Sequence, residues 1–477
     1  SPLAPGVLDG MIHALCVDPL TNLYVAGEFT SLGGNTNARY VARRDGVTGA
    51  WTNLGSGMNG PVQVLLSDAD GSIYAGGSFS AAGGVSASGV AVWHPVASAW
   101  SNLGAGVTGP ALEVLALLLD GAGGLYVGGV FTNAGGVTVT NVARWDGGSG
   151  VWTNLGAGVN HRVHSLVRLP DGDVAVGGDF SVAGGVAASC VARWRPVQQV
   201  WTNFGSGVPD SVHALAVDAS SNLYAGGHFS LGATQSQNVA RWNPLAGTWV
   251  HLDGGLRRTL LNPNTTAYVA GLLGDEEGDL YACGNFASPA LGLGRWDDDE
   301  WEPLGSGPNN PATAMAMDPL GNLYVAGSFS KAGGKSSPAL AKLILVEDEE
   351  DEDGDGLPDW WEILYYGGPT NASPEQASSN ITQTVQEAYL IDENPNAPGS
   401  AYFFTLPSAY DGSGFQVLIS TTSPDRVYSL YATTNLMGEP ANWVQVGGNT
   451  VGAGAALPFV VTNDPAFRIF RTGVGLP

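Results

Sequence analysis

One short stretch of the sequence spaces its carboxylates as a bound cation requires. Aspartates stand at every second residue, a glycine follows, and another aspartate and a glutamate complete the same dozen residues. Alternating carboxylates can converge on one ion, Gly356 permits a sharp turn, and Glu362 can bind with both of its oxygens. This is the ligand spacing of the twelve-residue EF-hand loop, so the sequence predicts one Ca²⁺. The predicted ligands are Asp351, Asp353, Asp355, the carbonyl of Leu357, Asp359 and Glu362.

The acidic segment joins two regions of different composition, and its alternative interpretation is a solvated acidic linker. The stretch DGDGLPDWWE resembles the calcium-loop spacers of thrombospondin type 3 and dockerin repeats in secreted bacterial proteins. That resemblance implies that the loop runs into a short helix and that calcium stiffens the joint. Residues 346–398 are therefore expected to form a calcium-binding hinge. We expect one ion, because the pattern of aspartates at every second residue does not recur later in this segment.

Candidate catalytic groups are few. His13, His164 and His213 share one position of a long repeat, where three imidazoles could bind a metal. The alternative is that each histidine is packed and hydrogen-bonded. The sequence has no G-x-S-x-G, H-E-x-x-H or Walker motif, and spacing alone pairs no loop carboxylates for glycoside chemistry. We therefore expect no catalytic or organic-cofactor site, and a protein that is not an enzyme.

The repeat that would position these histidines occupies most of the chain. An apolar-Tyr-small-small-Gly-x-Phe unit recurs at intervals of 43 to 57 residues, which is typical of a propeller or solenoid. Each of the first six copies contains four strand-like runs separated by turn residues, without helical periodicity. Residues 1–345 are therefore expected to form a seven-bladed β-propeller in an all-β chain. The repeated phenylalanines are Phe29, Phe79, Phe131, Phe180, Phe229, Phe286 and Phe329.

Tryptophans recur on the predicted third and fourth strands of nearly every copy. Because large aromatic side chains dominate core burial, we expect them to pack successive blades together. The alternative is that they stack on sugars. They are Trp93, Trp145, Trp194, Trp242 and Trp296 on third strands, and Trp51, Trp100, Trp152, Trp201, Trp249 and Trp301 on fourth strands.

A basic residue repeats on the third strands, and an acid repeats at the end of the first strands. We expect an arginine–carboxylate clamp within or between blades; the alternative is a basic ring that captures an anion. The bases are Arg43, Arg144, Arg193, Arg241, Arg295 and Lys342, with Val92 as the exception. The acids are Asp18, Asp68, Asp120, Asp218, Asp275 and Asp318.

The seventh copy ends after its third strand, ALAKLIL, and has no WTNLGSG run of its own. Residues 3–7 align with the LGSGV that follows other fourth strands, so the N-terminal segment is expected to close blade seven. Closure within one molecule and donation of this strand to a neighbouring subunit are the two alternatives. The first residues lack the features of a signal peptide, so a secreted chain would be numbered from after cleavage.

Six more strand-like runs lie within residues 399–477. Six short β runs in fewer than 80 residues predict a small β-sandwich. Their order resembles a C-terminal module of large secreted bacterial proteins, which implies a role in attachment, sorting or assembly. The runs are AYFFTL, GFQVLIS, RVYSLYAT, NWVQVGG, ALPFVVT and AFRIFRTGV.

Charge and hydropathy exclude two classes of partner. The 477 residues include 18 Lys and Arg against 43 Asp and Glu, a formal net charge of −25. Binding to nucleic acid or to an anionic membrane surface requires a positively charged region on the protein. No apolar run approaches the roughly 18 residues of a membrane span, so we expect no membrane insertion. The three cysteines, Cys16, Cys190 and Cys283, are expected to be small buried hydrophobic residues.

The runs LYVGGVFTNAGGVTVTNVARWD and WTNLGAGV resemble kelch-like and delta-60-type propeller repeats of bacterial cell-surface proteins. The resemblance covers some 345 residues, is specific for the fold and implies no particular reaction. We expect a secreted, non-enzymatic bacterial protein at the cell surface, with a structural or interaction role. A more specific hypothesis is that the protein is a subunit of an extracellular filament or surface assembly. Its partners would then be further copies of itself or other surface proteins. The alternative function is a propeller that binds or cleaves glycans.

Overall fold

The computed structural model describes residues 9–32, 38–231, 236–252, 255–257, 267–275, 278–297 and 300–343, followed by seven separate strands between residues 404 and 475. The predicted calcium loop, the rest of the segment 346–398 and residues 1–8 lie outside the described residues. The chain divides into two compact units, Ser1–Leu345 and Val346–Pro477. The described residues contain no helix of the length and apolarity needed to cross a membrane.

The first unit consists of consecutive antiparallel sheets, called sheets 1 to 7 in chain order. Sheet 1 contains Ile12–Val17, Leu23–Gly27, Val41–Arg44 and Trp51–Asn53; sheet 2 contains Val62–Ser67, Ile73–Gly77, Val90–His94 and Ala99–Asn102. Sheet 3 contains Glu113–Leu119, Leu125–Val130, Val142–Asp146 and Val151–Asn154; sheet 4 contains Val163–Arg168, Val174–Gly178, Val191–Arg195 and Val200–Asn203.

Sheet 5 contains Val212–Val217, Leu223–Leu231, Ser236–Asn243 and Thr248–His251; sheet 6 contains Tyr268–Gly274, Leu280–Asn285, Leu293–Asp297 and Glu300–Glu302. Sheet 7 has three described strands, Ala312–Met317, Leu323–Gly327 and Leu340–Leu343. Short hairpins extend some connections between second and third strands, as in Asn133–Ala134 with Val137–Thr138 and Lys331–Ala332 with Lys335–Ser336. Strands are therefore present in each of the seven repeat copies, in the predicted order.

The turn between the first and second strands is closed by the repeated aspartate. In sheet 1, one oxygen of Asp18 accepts the backbone N–H of Asn22 at 2.9 Å. Its other oxygen accepts the amide N–H of Asn22 at 2.8 Å and the hydroxyl of Tyr24 at 3.1 Å. Asp218 and Asp318 make the same contacts in sheets 5 and 7. A short carboxylate that accepts backbone N–H groups favours a tight reversal.

A β-bulge interrupts the pairing of the first two strands in every sheet of this unit. In sheet 4, Val163 pairs with Gly178 and Ser165 with Gly177, which leaves His164 as the extra residue. The glycine is required there, because a Cβ on Gly178 would lie 2.1 Å from the carbonyl oxygen of Arg162. Bulges re-aim side chains and occur near functional sites. The histidines singled out by the sequence are bulged residues.

The first strands form a closed cycle, since each contacts the first strand of the next sheet and that of sheet 7 contacts that of sheet 1. One buried apolar cluster fills the space between each pair of successive sheets. The cluster between sheets 7 and 1 contains Ile12, Phe29, Tyr324 and Leu340. The hydroxyl of Thr313 also donates to the carbonyl of Ile12 at 2.9 Å. This arrangement is a β-propeller with the first strands innermost.

The second unit has two groups of paired strands. Phe415–Ile419 pairs with Phe404–Thr405 and Leu457–Val461. Val427–Thr433 pairs with Val444–Gln445, Thr450–Val451 and Ile469–Gly475. Five of the six strand-like runs identified in the sequence contain one whole strand, and AFRIFRTGV contains all of Ile469–Gly475 except its last residue. The sandwich expected for residues 399–477 stays a prediction, since the described residues of this unit are limited to the strands.

Candidate functional site

A group of histidines and aspartates lies where the first strands of sheets 4 and 5 begin. Four of the chain's seven histidines meet two aspartates there: His161, His164, His213 and His228 with Asp179 and Asp210. His164 and His213 are the bulged residues of two innermost strands, and the other four side chains lie beside them where those strands begin. We call these six residues the His–Asp cluster.

Asp179 is the centre of the cluster. One of its oxygens lies 3.0 Å from Nε2 of His164, and the other lies 3.7 Å from Nδ1 of His161. The ring of His164 meets that of His213 edge-on, with centroids 5.1 Å apart. His213 in turn packs against the ring of Tyr268 at 5.8 Å. The contact between sheets 4 and 5 therefore continues into sheet 6.

The second aspartate organises the outer part of the cluster. Asp210 accepts the backbone N–H of Ser211 at 2.8 Å and lies 3.3 Å from Nδ1 of His228. The Ser211 side chain also hydrogen-bonds to Asp179. One serine thus links the two carboxylates, and the side chains form a connected polar network.

Burial sets the protonation of the network. Burial lowers the pKa of His164 to about 4, and the neighbouring His213 adds to the shift while Asp179 opposes it. Burial also lowers the pKa of His213. Burial acts to raise the pKa of Asp179, but His164 and the hydrogen bond from Ser211 outweigh it and leave that pKa lowered. At neutral pH His164 is therefore uncharged beside an ionised carboxylate.

The metal site considered for His13, His164 and His213 is not assembled in the described residues. His13 lies in sheet 1, where its Nε2 is 3.2 Å from Oε1 of Glu28. His164 and His213 are neighbours, but the described residues include no group of three or more His, Cys, Asp or Glu side chains placed to hold a metal ion. Each of the three bulged histidines instead packs against aromatic or acidic neighbours, as the alternative interpretation expects.

Sequence reasoning missed the acidic half of the cluster. Glu28, Asp179 and His228 all occupy the variable position of Gly-x-Phe, one residue past the glycine that pairs with the residue before the bulge. The sequence did contain a signal for these contacts. In the copies that have a histidine on the first strand, the variable position of Gly-x-Phe holds a charged residue or a histidine. Asp210 lies in the connection before sheet 5, where no regular spacing marks it.

The predicted clamp between base and acid forms, but with varied partners. Arg144 contacts the predicted Asp120 through Nε at 3.0 Å and Nη2 at 2.5 Å, and Lys342 lies 3.7 Å from Asp318. Arg43 bonds instead to Asn22 and Asp45. In sheets 4 and 6 the partners are Asp171 and Asp173 for Arg193, and Asp279, Asp297 and Glu302 for Arg295.

Six of the eleven repeat tryptophans are buried, and the other five are half-buried against the same apolar clusters. On sheet 3, Trp145 pairs directly across strands with Trp152, with ring centroids 5.4 Å apart. Equivalent tilted or edge-on pairs occur in sheets 2, 4, 5 and 6. Trp152 and Trp194 are among the most buried, at 3% and 2% exposure. The six buried rings are each at most 7% exposed, which leaves only a small part of each for contact with a ligand.

Cysteine positions agree with a packing role. Cys16 and Cys283 are buried, and all three cysteines are free thiols. Burial raises the pKa of the Cys283 thiol to about 12 and that of Cys190 to about 11. A protonated thiol is a poor nucleophile and metal ligand. The predicted calcium ligands, Asp351, Asp353, Asp355, Leu357, Asp359 and Glu362, lie outside the described residues.

Grooves open between neighbouring sheets at the opposite end of the propeller from the His–Asp cluster. The groove between sheets 1 and 2 has a volume of about 650 Å³ and is lined by Arg43, Asn53, Asp70 and Trp93, among others. A smaller groove of about 400 Å³ lies between sheets 3 and 4, beside Arg144 and Arg168. Each combines an aromatic edge with hydrogen-bonding groups.

A family described as "Rax2 C-terminal beta propeller domain" matches residues 153–317. The matched part runs from the last strand of sheet 3 to the first strand of sheet 7. The family match and the closed cycle of sheets agree that the chain contains a β-propeller. No curated protein matches the chain.

Several solved structures resemble the chain weakly. A chain of the Mitotic Checkpoint Complex has 16% sequence identity and a TM-score of 0.44, with 68% of this chain and 87% of that chain covered. U3-55K has 12% identity and a TM-score of 0.48, with 72% and 100% covered. The extracellular domain of a two-component system from B. thetaiotaomicron has 13% identity and a TM-score of 0.48, with 89% and 45% covered. Similarity at this level does not extend to function.

Proposed function

We propose that the protein is a secreted, non-enzymatic structural or interaction protein of the bacterial cell surface, in which a rigid propeller serves as a scaffold. The observation that carries the proposal is the closed cycle of first strands with an apolar cluster at each junction. The charged positions of the repeat support it too, because Arg144 and Asp120, for example, bond within one sheet. Side chains used in this way stabilise a scaffold.

The proposed architecture has seven blades, a hinge and a terminal module. Seven repeat copies and seven sheets support the blade count. The spacing of residues 351–362 supports a calcium-binding hinge, and the strands after residue 404 are compatible with a β-sandwich. Closure of blade seven by the N-terminal segment, of the same molecule or of a neighbour, belongs to the same proposal. The function of the full chain would be to assemble with copies of itself or to bind other surface proteins.

Micrographs of the purified full chain test this function directly. We expect ring-shaped particles that associate into filaments or sheets when calcium is present. Size-exclusion chromatography of the same material, with calcium and with a chelator, measures the change in assembly state. Strictly monomeric behaviour in both conditions would contradict the assembly role.

A glycan-binding or glycan-cleaving propeller is the second candidate. The groove between sheets 1 and 2 favours it, because Trp93, Arg43 and Asp70 offer an aromatic edge and hydrogen-bonding groups in about 650 Å³, within the usual size of ligand sites. A glycan array and a hydrolysis screen, each run with the wild type and with Asp70→Ala, test it. Signals absent from both assays would exclude this candidate, and signals that survive the substitution would place binding elsewhere.

A further inference from the structure

The chain has only three lysines, and all three belong to the seventh copy of the repeat. Two lie on the short hairpin of sheet 7, whereas Lys342 lies on its third strand with a side chain that is 13% exposed. Lys342 pairs across strands with Tyr324, as Arg43 pairs with Tyr24 in sheet 1. Sheet 7 therefore has a lysine at the position where five other sheets have an arginine.

The amine of Lys342 lies beside a buried carboxylate that also holds a primary amide. Nζ of Lys342 lies 3.7 Å from Oδ2 of Asp318. The side-chain N–H groups of Asn322 donate to both oxygens of Asp318 at 3.0 Å. Asp318 and Asn322 are both buried. We call Lys342, Asp318 and Asn322 the sheet 7 triad.

Sheet 1 shows that a cation at this position reaches the amide of the turn. Nη2 of Arg43 lies 2.6 Å from Oδ1 of Asn22, and Asn22 donates to Asp18 at 2.8 Å. An arginine there is inert, because its guanidinium stays protonated. A lysine amine becomes a nucleophile once it has lost its proton. The change from arginine to lysine in sheet 7 thus places a reactive group where the other sheets have an unreactive one.

The surroundings of the triad favour the loss of that proton. Burial lowers the pKa of Lys342, and Arg44 adds to the shift while Asp318 opposes it. Asp318 is itself fixed in position, because it also accepts the backbone N–H of Asn322 at 2.9 Å. One carboxylate is therefore placed to take a proton from the amine and to deliver it to the amide nitrogen.

We propose that Lys342 and Asn322 form a covalent isopeptide bond within the folded chain. Lys342 gives a proton to Asp318, and its Nζ attacks Cγ of Asn322. The Cγ–Nδ2 bond then breaks. Nδ2 takes up the proton held by Asp318 and the second proton that the amine loses, so it leaves as ammonium and Asp318 remains ionised. One C–N bond forms as another breaks, and the step needs no oxidant or reductant.

The bond would join the turn after the first strand of sheet 7 to the third strand of the same sheet. This sheet closes the propeller, since its first strand contacts that of sheet 1. A covalent link within it would restrict the separation of these two strands when the cycle opens. The inference goes beyond the proposed surface role and does not depend on assembly.

Mass spectrometry of the denatured full chain tests the bond. We expect the wild type to be lighter than its sequence by one ammonia, about 17 Da. Trypsin should leave residues 296–331 joined to the peptide that begins at residue 336. Lys342→Arg and Asn322→Ser should both have their full sequence mass. Each introduces a residue that the repeat already has at that position, since Ser72 of sheet 2 corresponds to Asn322.

Matched controls make the same changes outside the triad. Lys331→Arg, at an exposed residue of the sheet 7 hairpin, and Asn22→Ser, in sheet 1, should both keep the loss of ammonia. Labelling of amines in the denatured wild type gives a second measurement. Lys331 and Lys335 should react, whereas Lys342 should not.

Three results would overturn the proposal. The first is a wild type that has its full sequence mass. The second is a loss of ammonia that persists in Lys342→Arg, because the loss would then come from another asparagine. The third is a loss of one water in place of one ammonia, which would assign the bond to Asp318 rather than to Asn322. A chain that forms no filaments leaves all of these readings unchanged.

Discussion

The indole N–H of Trp152 donates to the carbonyl oxygen of Leu103 at 2.9 Å, which joins sheet 3 to the chain segment that leaves sheet 2. The same bond recurs one sheet earlier and one sheet later. Each of these tryptophans therefore packs against its own hairpin and also fixes the position of the preceding sheet. The repeat spaces these bonds regularly around the propeller.

Trp152 should be among the residues on which stability depends most. Trp152→Ala removes a ring that is 3% exposed and should lower the free energy of unfolding by about 3–5 kcal/mol. Trp152→Phe keeps most of the apolar contact but removes one of the two hydrogen bonds to the Leu103 carbonyl, which still accepts the N–H of Gly106. Its cost should be about 0.5–1.5 kcal/mol. Urea unfolding followed by circular dichroism measures both. Val151→Ala, at a residue that is 51% exposed, should change little.

The hairpin glycines should differ in their tolerance of alanine. Gly135 and Gly136 both have positive φ, of 56° and 92°, so alanine carries a backbone cost at either position. Only at Gly135 would the new methyl group also overlap Trp152, and overpacking of this kind costs about 1–3 kcal/mol more. Melting temperatures of the two variants measure the difference. Equal destabilisation would show that the ring moves aside without cost.

The clamp in sheet 3 should make stability depend on acidic pH. Burial acts to raise the pKa of Asp120, but hydrogen bonds from backbone N–H groups and from Arg144 outweigh it, so the folded pKa lies below the ordinary 3.8. The unfolded state then binds the proton more tightly, and stability present above pH 3.8 is lost as the pH falls through the lowered value. Asp120→Asn should remove this part of the pH dependence.

Asp120→Asn should also lower stability at neutral pH by about 1.5–3 kcal/mol, since a bond between charged groups is lost. Urea unfolding at several pH values between 2 and 7 measures both effects. Asp68→Asn is the control, because sheet 2 has Val92 at the position where sheet 3 has Arg144. A variant at Asp120 that keeps the full acid dependence of the wild type would count against the clamp.

His164 should destabilise the fold at mildly acidic pH. Its folded pKa of about 4 lies below the ordinary 6.5, so the unfolded chain takes up a proton first. Stability is complete above pH 6.5 and falls as the pH drops towards 4, by an amount on the order of 2 kcal/mol. His164→Gln should flatten this part of the curve, while a substitution of the exposed His251 should not. If the free energy of unfolding depends on pH in the same way for wild type and His164→Gln, His164 is not a neutral buried histidine.

Calcium should stabilise the full chain through residues 351–362. An ion that binds only the folded state adds about 2.7 kcal/mol at a concentration 100-fold above its dissociation constant. Asp353→Ala and Glu362→Ala should abolish the rise in melting temperature on adding calcium, because each removes a predicted ligand. Glu349→Ala, in the same acidic run but outside the ligand spacing, should leave the rise intact. If calcium still raises the melting temperature of both ligand variants, the ion does not bind to this loop.

Much of the fold could be predicted from local patterns. The period of the repeat, the strand runs and the paired tryptophans are each written within one copy, and the structure has strands at the expected places. The acid that ends each first strand was assigned to the clamp, yet Asp18 is used mainly by its own turn, with Asn22 and Tyr24. Turn closure was overlooked because a carboxylate followed four residues later by Asn fits either role.

By itself, the sequence determined that homologous four-stranded units repeat and that their large aromatic residues must be buried, because strand and hydrophobic patterns depend on neighbours within about ten positions. Only the tertiary structure decided which units meet. The contact of His164 with His213 and the bond from Thr313 to Ile12 join residues 49 and 301 positions apart. Such contacts depend on the closing of the cycle and on a bulge at each first strand, and neither feature is encoded in the spacing of a single copy.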